Sequence, residues 1–314
     1  MKLIVQIPCF NEAGTITDVV KAIPRKIQGF SKVEVLVVDD GSTDATVQVA
    51  LDAGADHIIV NKKNQGLARS FQNGINACLE LGADVIVNTD GDHQYPSQLI
   101  PLLTAPILAQ EADIVVGDRD PGSNPEFSLL KRKLQRFGTW VVKKFSGIEI
   151  SDAVSGFRAY SRDAAQKTFV FTSFSYTTET LISAGRRGLK VLSIPVETNA
   201  ETRPSRLASS MIKFLSRQAT TILRSYVMYS PLRAFGFVGL TLIVFGLWPI
   251  IRFLFFYVMG QGEGHIQSLV LGSTVFILGF ITLVIAVLSD TIATNRRLLE
   301  IALDRLAQLE NRKE

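Results

Sequence analysis

Residues 32–44 read KVEVLVVDDGSTD, and this stretch decides the fold of the first part of the chain. Val33–Val38 is an apolar run of strand length, rich in Val and Leu. Asp39–Asp44 supplies turn and helix-capping residues, and Thr43–Ala53 spaces its apolar residues as a helix does. A strand, a polar turn and a helix in this order form the repeating unit of α/β proteins.

The same unit repeats on both sides of this stretch. Further apolar runs of strand length are Leu3–Ile7, His57–Val60, Val85–Asn88 and Ile114–Val116. Segments with helical periodicity lie between them, namely Thr15–Ile27, Leu67–Leu81 and Pro96–Gln110. This alternation predicts an α/β fold, a Rossmann-like, mostly parallel sheet with helices on both faces.

Polar clusters follow four of the predicted strands. They are Pro8–Glu12, Asp39–Asp44, Asp90–Gln94 and Asp118–Arg119. Because right-handed crossovers bring the carboxyl ends of parallel strands to one edge of the sheet, these clusters are expected to meet there. The sequence therefore predicts a ligand site at that edge.

Two long uncharged runs near the carboxyl end are candidate transmembrane helices. Ala234–Ile251 is followed, after Arg252, by apolar residues to Met259, and Ile266–Ser289 can cross a hydrocarbon core of about 30 Å. The connecting residues Gly260–His265 contain no Lys or Arg, whereas basic residues flank the pair on both outer sides. The positive-inside rule then predicts a multi-pass protein of the cytoplasmic (inner) membrane, with the α/β domain and both termini in the cytoplasm. Two buried core helices are the alternative interpretation.

The segment before the first span has separate basic and apolar faces. Arg206, Lys213, Arg217 and Arg224 share one narrow face of a helix, beside a distinct apolar face. This pattern predicts an interfacial amphipathic helix that lies on anionic lipid. A surface helix packed on the soluble domain is the alternative.

These features divide the chain into four predicted domains. They are an α/β domain at 1–205, interfacial helices at 206–232, two spans at 233–290 and a cytosolic carboxyl-terminal helix at 291–314. In the last of them Leu299, Ala302, Leu306 and Leu309 are spaced 3-4-3. That spacing is compatible with a short coiled coil and a homo-oligomer.

Charge and cysteine usage exclude some classes of protein. The 314 residues carry a formal net charge of +4, an excess that fits an anionic membrane, an anionic substrate or nucleic acid and does not decide between them. Because the basic residues cluster beside the spans without an aromatic platform, nucleic-acid binding is not expected. Cys9 and Cys78 have no paired spacing, which argues against disulfides and structural zinc and fits a reducing compartment. Met1–Ile7 enters a strand pattern directly, so no secretory leader is expected.

Asp90 and Asp92 are the first candidates for chemistry. Two carboxylates one residue apart, just past a buried strand, can converge on one Mg²⁺ or Mn²⁺ whose shell is completed by phosphate oxygens and water. Such a divalent metal neutralises charge on a departing diphosphate. A solvated turn is the alternative for an isolated pair.

Two other loops add candidates for nucleotide binding. Asp40 can accept hydrogen bonds from a nucleobase or ribose, and Gly41 permits a tight turn. Asp44 fits a structural role beside the amino end of the following helix. Glu12 and the backbone near Pro8 occupy the corresponding place after the first strand.

Five motifs occur in a fixed order along the first 210 residues or so. They are P-C-F-N-E at 8–12, D-D-G-S-T-D at 39–44, N-Q-G-L-A at 64–68, D-G-D-H-Q at 90–94 and D-A-V-S-G-F-R-A-Y at 152–160. Their order and spacing make this part of the chain similar to family-2 glycosyltransferases of GT-A fold. Within that family the chain resembles dolichyl-phosphate mannose synthases and polyprenyl-phosphate glucosyltransferases.

The resemblance implies a role for each group of site residues. The residues implied to bind the nucleotide are Pro8, Phe10, Glu12, Val38, Asp40 and Gly91. Those implied to hold the divalent metal and diphosphate are Asp90, Asp92 and Gln94. Those implied to grip the donor diphosphate or acceptor phosphate are Arg119, Arg132, Arg203 and Arg206. Asp152 is implied to line the reaction centre.

The sequence departs from the family pattern at three places. Phe10 replaces a frequent Tyr, and Ser175 stands where mannose synthases carry a Lys before the glutamate equivalent to Glu179. The acceptor loop is the short Arg203-Pro204-Ser205-Arg206. These differences count against mannose and leave the catalytic framework intact.

The predicted reaction is inverting transfer of a hexose from a nucleotide-diphosphate sugar to a polyprenyl (undecaprenyl or dolichyl) phosphate. UDP-glucose is the leading donor, with GDP-mannose or UDP-N-acetylglucosamine as alternatives. The alternative classes are a processive membrane polysaccharide synthase, which needs more spans, and a non-catalytic nucleotide-sugar scaffold. A Rossmann-type oxidoreductase is disfavoured because Pro8–Glu12 is not a G-x-G-x-x-G turn.

Overall fold

A computed structural model describes residues 1–119, 138–140, 142–144, 146–170, 176–199, 220, 223, 226–227, 230–260 and 265–310. The chain divides into two compact units, Met1–Ile222 and Leu223–Glu314. Arg132, Arg203 and Arg206 lie outside the described residues, as does most of the predicted interfacial segment. The roles of these residues, and the predicted domain boundaries, therefore stay predictions.

The first unit is built on a seven-stranded sheet with the strand order β3-β2-β1-β4-β6-β5-β7. The strands are β1 (Lys2–Cys9), β2 (Lys32–Asp39), β3 (His57–Val60), β4 (Val85–Asn88), β5 (Ile114–Asp118), β6 (Arg158–Ser161) and β7 (Val191–Pro195). β6 runs antiparallel to both neighbours, and the other pairs are parallel. The predicted mostly parallel α/β sheet is confirmed.

The helices of this unit alternate with the strands. Among the described residues they include α1 (Ile16–Ala22), α2 (Thr46–Asp52), α3 (Leu67–Glu80), α4 (Ile100–Leu108), α5 (Arg162–Gln166) and α6 (Tyr176–Arg186). The first four match predicted helices but are shorter. α1 ends early because Ile23, which precedes Pro24, is extended, with ψ at 121°.

Helices cover both faces of the sheet, as predicted. Leu3, Val5 and Ile7 of β1 belong to a buried cluster with apolar residues of α1, α2 and α4. On the opposite face α3 packs closely at Gly74, where an added Cβ would lie 3.0 Å from Cγ2 of Val38. Burying each aliphatic side chain contributes about 1.5–3 kcal/mol, so this two-sided core holds the sheet edge in place.

The strand order creates a crevice between β1 and β4. From β1 the chain winds outward to β2 and β3, and β4 then joins on the other side of β1. A reversal of this kind leaves an opening outside the carboxyl ends of the two central strands, where α/β proteins bind ligands. The loops after Cys9 and Asn88 border it.

β6 was not predicted as a strand, and its direction positions the motif that precedes it. Arg158 of β6 pairs with Asn88 of β4 on one side and with Val116 of β5 on the other. Because β6 is antiparallel, its amino end lies where β4 and β5 end. Residues 152–157 therefore arrive at the ligand edge.

The second unit is a helical hairpin of α7 (Pro231–Val258) and α8 (Ile266–Glu310). Both helices are long and apolar enough to be candidate membrane spans. The predicted second span and carboxyl-terminal helix form one continuous helix of 45 residues. The predicted boundary was placed at residue 290 because the hydropathy falls there. A helical backbone can continue across such a change in composition.

Glycines bring α7 and α8 close together. A Cβ on Gly246 would lie 2.5 Å from the backbone N of Phe276, and one on Gly272 would lie 2.8 Å from the carbonyl O of Gly246. Gly239 and Gly279 form a similar pair. Small residues at these positions let the two backbones touch, which is how membrane helices commonly associate.

Candidate active site

The loops after β1 and β2 are tied together by hydrogen bonds. Asn11 donates from its backbone N to Oγ of Ser42 over 2.8 Å, and Thr43 N donates to Oδ1 of Asn11 over 2.8 Å. Glu12 N donates to Oγ1 of Thr46 over 2.8 Å. Asn11 adopts a φ of 54°, in a left-handed region that Asn tolerates better than most residues. The two predicted nucleotide loops thus form one continuous wall.

Pro8 and Val38 lie side by side at the start of this wall. They are direct partners in the parallel register of β1 and β2. Phe10 follows after Cys9. The structure therefore brings together the residues implied to bind the nucleotide from the first two strands.

Asp40 organises the loop that leads into α3. Its Oδ1 accepts hydrogen bonds from Asn61 Nδ2 at 3.0 Å and Gln65 N at 2.9 Å, and its Oδ2 accepts one from Gly66 N at 2.8 Å. The carboxylate is buried, and Gly66 has a positive φ of 91°. Asp40 thus positions the N-Q-G-L-A motif, and its predicted contact with the nucleotide stays a prediction.

Gly91 joins the acidic loop to the wall formed by the first two loops. Its carbonyl O accepts a hydrogen bond from Thr15 Oγ1 at 2.7 Å. A Cβ on Gly91 would lie 3.2 Å from Cβ of Cys9 and 3.3 Å from Cγ of Glu12. The absence of a side chain therefore allows Asp90 and Asp92 to sit directly against the loop after β1.

Asp90 is in an environment that disfavours its charged form. Burial, and then the neighbouring Asp92, raise the pKa of Asp90 to about 7, and Arg119 offsets this only in part. Asp92 Oδ1 accepts a hydrogen bond from Gln94 N at 3.2 Å. The turn between them includes His93 with a φ of 59°. A cation beside this carboxyl group would stabilise its charged form.

Arg119 and Asp152 form the second half of the site. Arg119 donates from Nε to Oδ2 of Asp152 at 2.6 Å and from Nη2 to Oδ1 at 3.1 Å. Burial by itself would lower the pKa of Arg119, but Tyr95 and Asp152 raise it well above its usual value. Asp152 also accepts from the backbone N of Val154 and Ser155, both at 3.1 Å. The predicted Asp152 thus holds a charged arginine in a fixed orientation.

The S-G-F segment that precedes β6 connects these two halves. A Cβ on Gly156 would lie 3.0 and 3.1 Å from the two carboxylate oxygens of Asp90 and 2.8 Å from the hydroxyl of Tyr176. Gly156 N donates to the hydroxyl of Tyr95 at 3.2 Å, and the Tyr95 ring stacks on Phe157. The residue after Ser155 therefore has to be glycine for Asp90 to keep its place.

Several residues of this site were not selected from the sequence. Tyr95 directly follows the D-G-D-H-Q motif, and Gly156 lies within the D-A-V-S-G-F-R-A-Y motif. Their positions in the sequence could therefore have indicated that they belong to the site. Asn88 donates from Nδ2 to Gly156 O at 2.8 Å and contacts the Tyr176 hydroxyl at 2.9 Å. Tyr176 comes from α6, far along the chain, and no local pattern indicates that it reaches the acidic loop.

The acidic loop fits a divalent cation that shares its ligands with a substrate. Among the described residues no group of three or more His, Cys, Asp or Glu side chains is arranged to hold a metal alone. Asp90 and Asp92 supply two carboxylates one residue apart, and burial followed by the charge of Asp92 raises the pKa of Asp90. Magnesium and manganese are commonly bound by one or two carboxylates together with phosphate oxygens, which matches this arrangement.

The fold and the position of the site define the class of protein. A glucosyl-3-phosphoglycerate synthase from Mycobacterium tuberculosis, solved with Mn²⁺, UDP-glucose and phosphoglyceric acid, has a similar fold. The TM-score is 0.58 at 20% sequence identity, covering 72% of this chain and 79% of that one. The first unit is thus a GT-A domain, the fold of nucleotide-sugar glycosyltransferases.

Sequence comparison gives the family. The pattern of glycosyl transferase family 2 matches residues 4–169, and the chain belongs to this family and is a glycosyltransferase. It is 28% identical over 307 residues to glycosyltransferase AglJ of Haloferax volcanii, covering 92% of this chain and 93% of AglJ. It is 31% identical over 173 residues to a dolichol-phosphate mannosyltransferase of Pyrococcus furiosus, covering 53% of this chain and 48% of that protein. A third relative is a UDP-N-acetylglucosamine–dolichyl-phosphate N-acetylglucosaminyltransferase of Methanococcus voltae, 26% identical over 215 residues, covering 61% of this chain and 83% of that protein.

Proposed function

We propose that the enzyme transfers a hexose from a nucleotide-diphosphate sugar to a polyprenyl phosphate at the membrane surface. The observation that carries this proposal is the placement of the Asp90–Asp92 loop and the Arg119–Asp152 pair on either side of the Gly156 segment. One side presents two carboxylates and the other presents a fixed cation. A metal ion held by the carboxylates and an arginine on the other side would together neutralise the phosphates of two substrates that react with each other.

The acceptor is inferred from the relatives and from the second unit. Two of the relatives above are named for dolichol phosphate, and AglJ aligns along nearly the whole chain. The two candidate spans would keep the enzyme at the membrane, where a polyprenyl phosphate resides. We place it in the cytoplasmic membrane with the catalytic domain and both termini in the cytoplasm, because basic residues flank the spans outside the connecting loop.

The donor would lie in the crevice between β1 and β4. Its nucleoside would contact the wall that contains Pro8, Phe10, Glu12, Val38 and Asp40, and its diphosphate would face Asp90, Asp92 and Gln94. A bound Mg²⁺ or Mn²⁺ would supply Lewis-acid stabilisation of the nucleoside diphosphate as it leaves. Asp90 and Asp92 would hold that ion, and Gly91 keeps them against the nucleotide wall.

The acceptor phosphate would approach from the side of Arg119. A phosphate monoester is largely dianionic at neutral pH and is already nucleophilic, so positioning matters more than a general base. Asp152 fixes Arg119 so that its remaining N–H groups can offset the repulsion between two phosphates. Arg132, Arg203 and Arg206 are proposed to assist. A single in-line displacement from the opposite face of the sugar would invert the anomeric carbon.

The sugar proposed first is glucose from UDP-glucose, followed by GDP-mannose and UDP-N-acetylglucosamine. Ser175 in place of the mannose-synthase lysine supports this order. The fold neighbour solved with UDP-glucose is 20% identical, and it informs the fold alone.

The test is direct transfer with purified full-length protein in detergent micelles. The protein would be incubated with undecaprenyl phosphate, Mn²⁺ and, separately, each of the three labelled nucleotide sugars, with 3-phosphoglyceric acid as a competing soluble acceptor. The expected product is an acid-labile, singly glycosylated lipid phosphate formed from UDP-glucose. Label in 3-phosphoglyceric acid, or in a soluble polymer, would contradict the proposed acceptor, and a different labelled lipid would correct the donor alone.

A further inference from the structure

Helix α8 carries two apolar stripes with the same repeat, and only one of them is covered within the described part of this chain. Gly272 and Gly279, seven residues apart, face α7, and Ala286 continues that line as a fully buried residue. The second stripe begins one residue earlier, at Leu271. Because each residue turns an α-helix by about 100°, this second stripe looks away from the α7 contact.

The second stripe follows a heptad repeat along the whole of α8. Every seventh residue from the first is aliphatic: Leu271, Leu278, Ile285, Ile292, Leu299 and Leu306. The first five have exposed side chains in the structure. In heptad terms these are a positions, and Ile281, Leu288, Ala302 and Leu309 are d positions on the same face.

The second stripe continues past the end of the candidate span, where exposed apolar side chains would face water. The candidate span ends at Asn295, and α8 extends a further stretch of about 22 Å to Glu310. Leu298 and Leu299, just past the span, are 60% and 65% exposed. Lipid can cover the stripe inside the membrane, but it cannot cover leucines on the aqueous side.

We propose that this stripe of α8 pairs with α8 of a second copy of the chain as a parallel, in-register coiled coil. The membrane supports this arrangement, because two copies inserted with the same topology present their helices in the same direction and at the same depth. Asn295 at a d position adds a polar group that is best satisfied opposite its own counterpart, which favours a single register. The proposal concerns assembly and does not depend on the proposed substrates.

The charges on the aqueous part of the helix agree with a parallel pairing. Arg305 occupies a g position, and Glu310 occupies the e position five residues later. In a parallel coiled coil the g residue of one helix lies beside the following e residue of its partner. Each pair of copies would therefore form two symmetrical Arg–Glu contacts. Leu298 and Leu303, at the preceding g and e positions, would broaden the apolar seam.

Single-cysteine cross-linking in membranes tests the pairing and its register. Leu306→Cys, at an a position, is expected to form a disulfide-linked dimer on mild oxidation, and Asp304→Cys, at the outward f position, is the matched control and is expected to stay monomeric. Unmodified protein gives the background, because Cys9 and Cys78 are both buried. Equal cross-linking of both variants, or none with Leu306→Cys, would overturn the proposal.

A charge exchange provides an independent test. In the Leu306→Cys background, Arg305→Glu is expected to lower the cross-linked fraction about fivefold by placing glutamates opposite each other. Combining it with Glu310→Arg is expected to restore the fraction. Glu300→Arg, a change of charge at a b position outside the second stripe, should leave it unchanged. Failure of the double exchange to restore cross-linking would reject the parallel register even if a dimer forms.

Discussion

Arg119 donates two hydrogen bonds to Asp152, from Nε to Oδ2 at 2.6 Å and from Nη2 to Oδ1 at 3.1 Å. The two bonds together fix the orientation of the guanidinium at the edge of the sheet. Asp152 is almost completely buried, whereas Arg119 retains some exposure toward the site. The aspartate therefore acts through the arginine, and its own contact with a substrate is not needed to explain its place in the D-A-V-S-G-F-R-A-Y motif.

Asp152→Asn tests this relationship. The amide keeps the shape of the side chain but loses the charge that orients Arg119, so transfer is expected to fall about 100-fold, with the larger part in KM for the lipid phosphate. Unfolding free energy should fall by roughly 3 kcal/mol, since a buried ion pair loses one charge. Kinetics and thermal unfolding measure the two effects. The control is Glu149→Gln, which removes the exposed Lys143–Glu149 pair and should change neither. Normal acceptor kinetics in Asp152→Asn would contradict the assignment.

Asp92→Asn is expected to abolish transfer while the protein still folds. Asp92 is partly exposed, so the change disturbs little packing, but it removes one of the two carboxylates proposed to hold the divalent ion. Calorimetric titration of UDP with and without Mn²⁺ gives a readout that does not rely on turnover. Mn²⁺ should tighten UDP binding to the unmodified protein but not to the variant. Asp52→Asn, on the exposed side of α2, serves as the control. Full activity in Asp92→Asn would disprove the metal role.

Gly156→Ala tests how tightly the segment before β6 contacts the acidic loop. The new Cβ would meet both oxygens of Asp90 near 3 Å and the Tyr176 hydroxyl at 2.8 Å, so Asp90 has to move. We expect activity to fall about 30-fold, because small displacements of a positioned ligand weaken catalysis strongly. Gly236→Ala is the matched control, since its Cβ meets nothing within 4 Å. Activity and thermal unfolding would be measured for both variants. Equal activity of Gly156→Ala and Gly236→Ala would contradict the close contact between Gly156 and Asp90.

Metal dependence should vary with pH in a defined direction. The pKa of Asp90 is raised to about 7, so below that pH the carboxyl holds a proton that a metal has to displace. The half-saturating Mn²⁺ concentration is expected to rise about tenfold per pH unit below about 7 and to level off above it. Initial rates measured across a metal series at each pH test this. A requirement that stays constant from pH 5.5 to about 8 would show that Asp90 does not bind the ion.

Glu34 should stabilise the fold against acid. Burial by itself would raise its pKa, but hydrogen bonds from Lys2, Lys32 and His57 lower it to about 2. Since this folded value lies below the usual 4.5, the stabilisation is complete above pH 4.5 and is lost as the pH falls through 2. Glu34→Gln is expected to lower unfolding free energy at pH 7 by roughly 3 kcal/mol. Melting curves of both proteins should converge as the pH falls toward 2, and a constant difference would contradict this account.

The sequence was most informative where structure is local. Val33–Val38 and Asp39–Asp44 predicted a strand and the loop after it, and the five predicted strands are present. The parallel register then places Pro8 beside Val38 without further information. Local periodicity and the geometry of parallel sheets were sufficient for this part of the fold.

Local sequence patterns do not predict contacts between residues that are far apart in the chain. β6 is four residues long and contains a fully buried arginine, Arg158, whose guanidinium donates to the carbonyl groups of Ser155, Ala153 and Thr177. A charged residue in a short run does not indicate a central strand. For the same reason the approach of Tyr176 to the acidic loop could not be foreseen, because it depends on how α6 packs.

The structure brings several of the predicted site residues together, and the role of each stays a prediction. Asp40 was chosen for the nucleotide, yet three protein hydrogen bonds show that it also builds the entry to α3. Asp152 was chosen for the reaction centre, and the structure shows it holding Arg119. In both cases a motif identifies an acidic residue but cannot reveal which protein donors already occupy it.

The reversed direction of β6 has a consequence for how the enzyme can diversify. The connection at 152–157 contacts the arginine through Asp152 and lies against the acidic loop at Gly156, so lengthening or shortening it would misalign donor and acceptor together. The loops after β1 and β2 instead contact each other and form the nucleotide wall, so a change in them is expected to affect one substrate at a time. New sugar or lipid specificities are therefore expected to arise from those loops, while the connection into β6 keeps its length.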